Sequence, residues 1–370
     1  MSKVLLGDVA VEHKETCKGS KDGYPIVGLE HLIPEEITLT AWNEGSENTF
    51  SKMFRKGNVL FGRRRAYLKK AAVAPFDGIC SGDITVIEAK PDRILPELLP
   101  FIIQNDDLFE FAVGKSAGSL SPRVKWEHLK NYEFELPDMG KQKELAELLW
   151  AMDNTKKSYQ KLIAATDELV KSQFMEQFGN PILGEKDEQL PRLGEVCMLK
   201  AGLFVRADDI QSEFGEGLYP CFGGNGLRGY VSDYTHDGDF PIIGRQGALC
   251  GNVQYVTGKF HATEHAVVVT AQDSIDSYWL YHLLVLLKLN RYATGAAQPG
   301  LSVGNLEKIH IQVPELVAQE HFSDFAHQSD KSKFAVQSCS NLNLSGQLAT
   351  RISPVIPLPQ GGVHNGEISV

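Results

Sequence analysis

The chain contains itself twice, and this duplication constrains its fold more than any other feature. Gly62-Arg63 opens a run that ends in Val86-Ile87-Glu88-Ala89, and Gly244-Arg245 opens a second run that ends in Val268-Val269-Thr270-Ala271. The Gly, the Arg, the pair Ala66/Ala248 and the closing Val and Ala positions all recur at one offset of 182 residues. Further on, Leu129, Leu136-Pro137, Gln142 and Asp153 are echoed by Leu306, Val313-Pro314, Gln319 and Asp330, now at an offset of 177. A repeat this long is a duplicated domain, since solenoid periods run to roughly 20–50 residues. Two similar modules imply two similar tasks. A chain of 370 residues also exceeds what one hydrophobic core usually serves.

Each module is mixed. In residues 1–138, short β-branched and aromatic runs such as Val59-Leu60-Phe61 and Ile84-Thr85-Val86-Ile87 sit between Gly, Asn, Asp and Pro turns. A helix is expected over Pro96–Val113, then a polar loop, Gly114–Ser121, and a last strand, Tyr132–Leu136. Residues 190–314 repeat the pattern, with a helix expected over Ser277–Asn290 and the corresponding loop over Thr294–Gly300. Between them the character changes. Lys141–Phe178 has no Gly or Pro, and apolar residues recur at three-to-four spacing, which predicts one long amphipathic helix. At about 1.5 Å per residue it would run roughly 57 Å. Gly179-Asn180-Pro181 stops it. A helix so long needs an apolar partner. Residues 315–349 hold the equivalent place, with a weaker stripe that includes Phe322 and Phe325, and they are the natural partner. The expected fold is α+β: two mixed α/β domains separated by two long antiparallel, coiled-coil-like helices. The expected boundaries are 1–138, 139–180, 181–314 and 315–350, with a Pro/Gly-bearing disordered tail at 351–370.

Composition excludes several classes. Six cysteines form no Cys-x-x-Cys pair and read as reduced thiols of a cytoplasmic protein without a structural zinc. The most apolar window, Tyr278–Leu289, is too short to span a bilayer and carries His282 and Lys288, so no membrane association is expected. No secretory signal is expected either. The net charge of −10 argues against a uniformly basic nucleic-acid binder and directs attention to local basic patches.

The strongest patch is Arg63-Arg64-Arg65-Ala66-Tyr67-Leu68-Lys69-Lys70, where Arg63, Arg64, Arg65, Lys69 and Lys70 flank an interleaved Tyr67 after a predicted strand. Cations with an aromatic residue suit phosphate contacts and base-edge reading; the competing reading is a solvated loop. The counterpart is Arg245-Gln246-Gly247, less basic but built from the two residue types that bond purine edges bidentately. Unequal chemistry at equivalent positions is what two modules reading different sequences would show. The loop with Arg123 and Lys125 corresponds to one with Gln298 in the second module, where an ordinary loop is the competing reading, and a glycine-dense turn exposes Asn225 and Arg228. These residues complete the candidate DNA-binding set.

Other patterns are set aside. Gly224-Asn225-Gly226-Leu227-Arg228-Gly229 matches a dinucleotide fingerprint formally, but a strand-like Tyr230-Val231 follows where a helix must begin. His261 and His265 share a face if extended, yet Ala266-Val267-Val268-Val269 continues as core strand, so a metal site is not expected. No Ser/His/Asp elbow, P-loop or other catalytic motif appears. The chain is expected to carry no catalytic residue, metal or cofactor.

The ordered set resembles the specificity subunit of Type I restriction–modification systems. The resemblance rests on Lys56-Gly57-Asn58-Val59-Leu60-Phe61-Gly62-Arg63-Arg64-Arg65, Phe76-Asp77-Gly78-Ile79-Cys80-Ser81-Gly82, Tyr219-Pro220-Cys221-Phe222-Gly223-Gly224-Asn225-Gly226 and Gly244-Arg245-Gln246-Gly247. A Pro and a Gln before each long helix, and Phe178-Gly179-Asn180-Pro181 at the join, belong to it as well. It covers roughly residues 4–350. It implies two target recognition domains, a bipartite double-stranded DNA site with an unread spacer, and docking of two modification (methyltransferase) subunits and of restriction (translocase) subunits. The weak second helix and the tail depart from the pattern. No base contact carries over residue by residue. The apolar stripes, Leu145, Leu149, Leu162, Leu169, Phe174, Phe322 and Phe325, are the expected docking and pairing surface. Two other classes remain beside this one: the recognition half of a fused restriction–modification enzyme, and a duplicated protein-interaction adaptor.

Overall fold

The apolar runs that open and close the 182-residue repeat are neighbouring strands in both copies. In this computed structural model, which describes residues 2–45, 49–184, 187–247, 249–295 and 299–345, Val59–Gly62 pairs antiparallel with Ile84–Ala89, Leu60 opposite Val86. Phe240–Gly244 pairs the same way with Ala266–Ala271, Ile242 opposite Val268. Each pair is flanked by one more antiparallel strand on either side. These are Ala10–Glu12 and Ala71–Val73 in the first copy, Cys197–Ala201 and Val253–Val256 in the second.

The strands are apolar almost throughout because both faces are buried. Successive side chains point to opposite faces, so Val59 and Phe61 enter one core while Leu60 enters another. Ile243 and Ile242 divide between two cores in the same way. One face carries helices: Leu99–Ile103 and Asp106–Gly114 in the first module, Ser277–Leu286 in the second. The other face carries a second four-stranded sheet with one parallel pair, Ile26–Val27 beside Gly78–Cys80 in the first copy and Tyr219–Gly223 beside Lys259–Ala262 in the second. The fold is α+β, and the layers repeat.

Two helices end earlier than their apolar pattern suggests. Pro96–Val113 is broken at Asn105, whose side chain accepts from Asp107 N at 2.8 Å and caps a new helix. Ser277–Leu286, capped by Asp276 at 2.7 Å from Trp279 N, gives way to a tighter turn at Leu289–Tyr292.

The first long helix runs from Met139 to Phe178, 40 residues, and stops at Gly179, whose φ of 76° suits glycine. The second runs from Leu316 to Ser345. The expected tail at 351–370 lies outside the described residues. The chain divides into two compact units inside the first long helix. One is Lys161–Ala335; the other is the preceding chain together with the last described turns from Val336. Within the Lys161–Ala335 unit the two helices run antiparallel. Phe174 meets Phe322 with ring centroids 5.2 Å apart, and Asp167 pairs with Lys333 at 2.5 Å, so residue numbers fall on one helix as they rise on the other.

Candidate nucleic-acid interface

The two arginine runs sit in one backbone frame. Arg63 N donates to Asp83 O, Val124 N donates to Arg63 O, and Arg65 N donates to Pro122 O. In the second copy Arg245 N donates to His265 O, Leu301 N to Arg245 O, and Gly247 N to Pro299 O. Every one of these partners obeys the 182- or 177-residue offset. Each arginine therefore lies between the turn that enters the closing strand and the loop that precedes the last short helix. The frame brings Arg123 beside Arg64 and Gly300 beside Gln246 through matching β-bridges.

Arg63 and Arg245 share more than the frame. The Nε of each is buried and has no hydrogen-bond partner among the described residues. A buried donor left unmet costs about 1–3 kcal/mol, and the two copies share this feature at one position of the frame.

The other cations of the first module divide by partner. Asp83 holds Arg123 through Nε at 2.7 Å and Nη2 at 3.2 Å and lies 3.5 Å from Arg64 Nη1. Arg123, then Arg64 and Arg63, keep the Asp83 carboxyl below the usual carboxylate range. Arg64 Nε also donates to Ser121 Oγ at 2.5 Å. Lys69 pairs with Asp106 at 2.5 Å, and Lys70 Nζ donates to Leu29 O at 2.8 Å. Arg65 is exposed and has no side-chain partner among the described residues; Tyr67 and Lys125 are exposed. Arg65 and Lys69 both adopt left-handed backbone, φ 54° and 50°, on either side of the single turn Ala66–Leu68. Their counterparts in the second copy are Gly247 and Gly251, φ 84° and 89°. The first module thus places cations where the backbone favours glycine, at a cost of order 1 kcal/mol each.

In the second module the glycine-dense turn is a hairpin tip joining Tyr219–Gly223 to Gly226–Val231, not a phosphate loop. It presses on the arginine frame: a Cβ at Gly244 would stand 2.0 Å from Gly224 O. Arg228 crosses Gly223 closely enough that a Cβ there would meet its Cδ at 2.6 Å. Asn225, Arg228 and Gln246 are exposed around half-buried Arg245. Gln298 lies outside the described residues. The strand containing His261 ends at Ala262, so His265 falls in a turn and not on the face of His261. That turn holds buried atoms without a partner among the described residues, Thr263 Oγ1 and His265 Nδ1 among them. No group of three or more potential metal ligands exists among the described residues.

Asp83 and Ser121 were not found from the sequence, and His265 was weighed there only as a metal ligand. Asp83 stands 20 residues from Arg63 in a Gly-Asp pair that reads as an ordinary turn, and only the strand pairing brings the two together.

The apolar stripe needs a correction. Leu145, Leu149, Phe174, Phe322 and Phe325 pack into the cores of their own units and are not a free docking face. Leu162 and Leu169 alone among the seven stay half-exposed, at 50% and 53%. No described helix is long and apolar enough to cross a membrane.

Comparison with known proteins recovers the duplication. A family described as the Type I restriction modification DNA specificity domain matches residues 4–165 and again 185–341. The EcoprrI specificity subunit of Escherichia coli is 44% identical over 154 residues, 41% of this chain and 38% of that protein. A putative type I restriction enzyme specificity subunit of Haemophilus influenzae is 31% identical over 106 residues, 28% of each chain. The matched stretches therefore span well under half of these relatives. The crystal structure of the S subunit from M. genitalium superposes with a TM-score of 0.61 at 15% identity, covering 92% of both chains. A chain from a structure of a type I R-M system, described for its complex assembly and conformational transition, gives a TM-score of 0.50 at 22% identity, covering 92% of this chain and 93% of that one. Both likenesses concern the fold.

Proposed function

The chain belongs to the Type I restriction–modification DNA specificity family, and we propose that it is the non-catalytic subunit that reads a bipartite DNA target for such a system. Residues 1–138 and 181–314 are its target recognition domains, each reading one block of sequence. Residues 139–180 and 315–350 are the helical segments that join them. Two modification subunits and the restriction subunits are its protein partners, and it works in the cytoplasm without a cofactor of its own.

One observation carries this reading. Two copies of a single backbone frame each hold one arginine, Arg63 and Arg245, at the same place. Phosphate oxygens and purine O6 and N7 atoms are the acceptors that DNA supplies to arginine. On a chain of net charge −10, the gathering of Arg63, Arg64, Arg65 and Arg123 in one frame supports a local electrostatic footprint. Half-exposed Leu162 and Leu169, seven residues apart on one helix face, support docking of a modification subunit there.

The test is selection of bound duplexes from a random-sequence pool, with the full chain alone and with its modification subunits. Two short enriched blocks separated by an unread gap are expected. No enrichment under either condition would overturn the reading in favour of a protein-interaction adaptor. Methylation or cleavage by the purified chain alone would favour the fused-enzyme alternative.

A further inference from the structure

The two copies differ in side chain at positions where their backbone bonds agree. Positions 64 and 123 are bridged in the first module, as 246 and 300 are in the second. Position 83, like 265, accepts the amide of the shared arginine. All three positions have changed together between the copies: Arg64, Asp83 and Arg123 stand where Gln246, His265 and Gly300 stand. A carboxylate kept for the fold alone has no reason to leave when two arginines leave. One kept to hold two arginines does. The contacts fit the second case, since Asp83 binds Arg123 by two N–H groups and Arg64 by one ion pair.

We propose that Arg64, Asp83 and Arg123 form one reading triplet for the first block of DNA, in which Asp83 is a positioning residue. This rests on the DNA-reading function proposed above. Asp83 fixes the planes and the spacing of two guanidinium forks. Neither fork spends more than part of its donor set on the protein: Arg64 gives Nε to Ser121 and Nη1 to Asp83, and Arg123 gives Nε and Nη2 to Asp83. Forks held in advance lose little freedom on binding, which favours discrimination. Bidentate arginine selects guanine, so the first block contains guanine. The counterpart Gln246, His265 and Gly300, which has neither arginine nor carboxylate, reads differently, while Arg63 and Arg245, constant between copies, supply a contact common to both blocks.

The experiment uses the full chain and duplexes chosen by random-pool selection, with either block intact or scrambled. Asp83→Asn keeps the shape and removes the charge. It is expected to lose about tenfold or more of its preference for an intact first block, to keep the preference for the second block, and to bind unrelated duplex as well as the parent or better. A simple folding defect would lower binding to every duplex and erode both preferences. As a second variant, the triple change Arg64→Gln, Asp83→His, Arg123→Gly should select a new first block and the old second one. An unchanged first block in both variants, or a parent first block without guanine, overturns the triplet while leaving the two-block function standing. A parent that selects no blocks at all removes both.

Discussion

Gln319 repeats, at the head of the second long helix, the two hydrogen bonds that Gln142 makes at the head of the first. Gln142 Oε1 accepts from Leu95 N at 2.8 Å and its Nε2 donates to Pro137 O at 2.9 Å. Gln319 Oε1 accepts from Asp276 N at 2.9 Å and its Nε2 donates to Pro314 O at 2.8 Å. Both side chains are buried. Each glutamine ties the start of a long helix to the turn before its module's helical layer. Removing it strands a main-chain donor and a carbonyl, at about 1–3 kcal/mol. Gln142→Ala and Gln319→Ala should each destabilise the chain by that amount in urea unfolding. A loss below about 0.5 kcal/mol in both would mean the ties are incidental.

The long helices carry two kinds of apolar residue. Phe174 and Phe322 are fully buried, and Phe174 stacks on Trp279 at 6.1 Å. Phe174→Ala should cost about 3–5 kcal/mol and melt the unit formed by Lys161–Ala335. Leu169→Asp, at a half-exposed site, should shift the melting curve little and instead weaken co-purification with the modification subunit. Equal thermal damage from the two substitutions would contradict this division.

Arg65 should reveal a conflict between stability and binding. Its left-handed backbone is occupied by Gly247 in the other copy. Arg65→Gly relieves that strain, offset by the greater freedom of glycine in the unfolded chain. Stability is expected to hold or rise by up to about 1 kcal/mol while DNA affinity falls and its salt dependence flattens. Calorimetry beside a salt titration checks it; a variant that binds like the parent would show that the strained cation has no role on DNA.

His282 should make the second unit acid-sensitive. Burial among Tyr278, Tyr281 and Phe322 pushes its pKa down from 6.5 to about 4, and its Nε2 has no partner among the described residues. The unfolded chain then binds more protons than the folded one between those two values. Stability contributed by the neutral ring is full above pH 6.5 and is lost as pH falls towards 4, by at most about 3 kcal/mol. His282→Phe should flatten the slope of unfolding free energy against pH in that window. An unchanged slope would assign the acid sensitivity elsewhere.

The sequence made the duplication, the long helix and the arginine runs legible because each is local or periodic. The offsets of 182 and 177 residues hold down to single hydrogen bonds of the arginine frame. Contacts made by strand pairing were not legible: Asp83, Ser121 and His265 reach their partners only after the sheet has formed. The apolar stripe was legible as a helix face but not as core against surface. Phe174 and Leu169 fit one spacing, and only the arrival of Phe322 and Trp279 over Phe174 separates them. Asn105 was readable as a cap, since Asn105-Asp106-Asp107 carries the chemistry of a helix start; the apolar run across it hid the break.

The most direct test of the account is a double-variant cycle on Arg63 and Arg245. The affinities of the parent, Arg63→Ala, Arg245→Ala and the double variant are measured on the selected bipartite duplex and on duplexes with one block scrambled. Each single variant is expected to lose about 1–3 kcal/mol, the double variant to lose the sum to within about 0.5 kcal/mol, and each to lose its contribution against a different block. Loss against the same block in both variants, or no loss in either, would contradict two copies of one frame reading two parts of one DNA site.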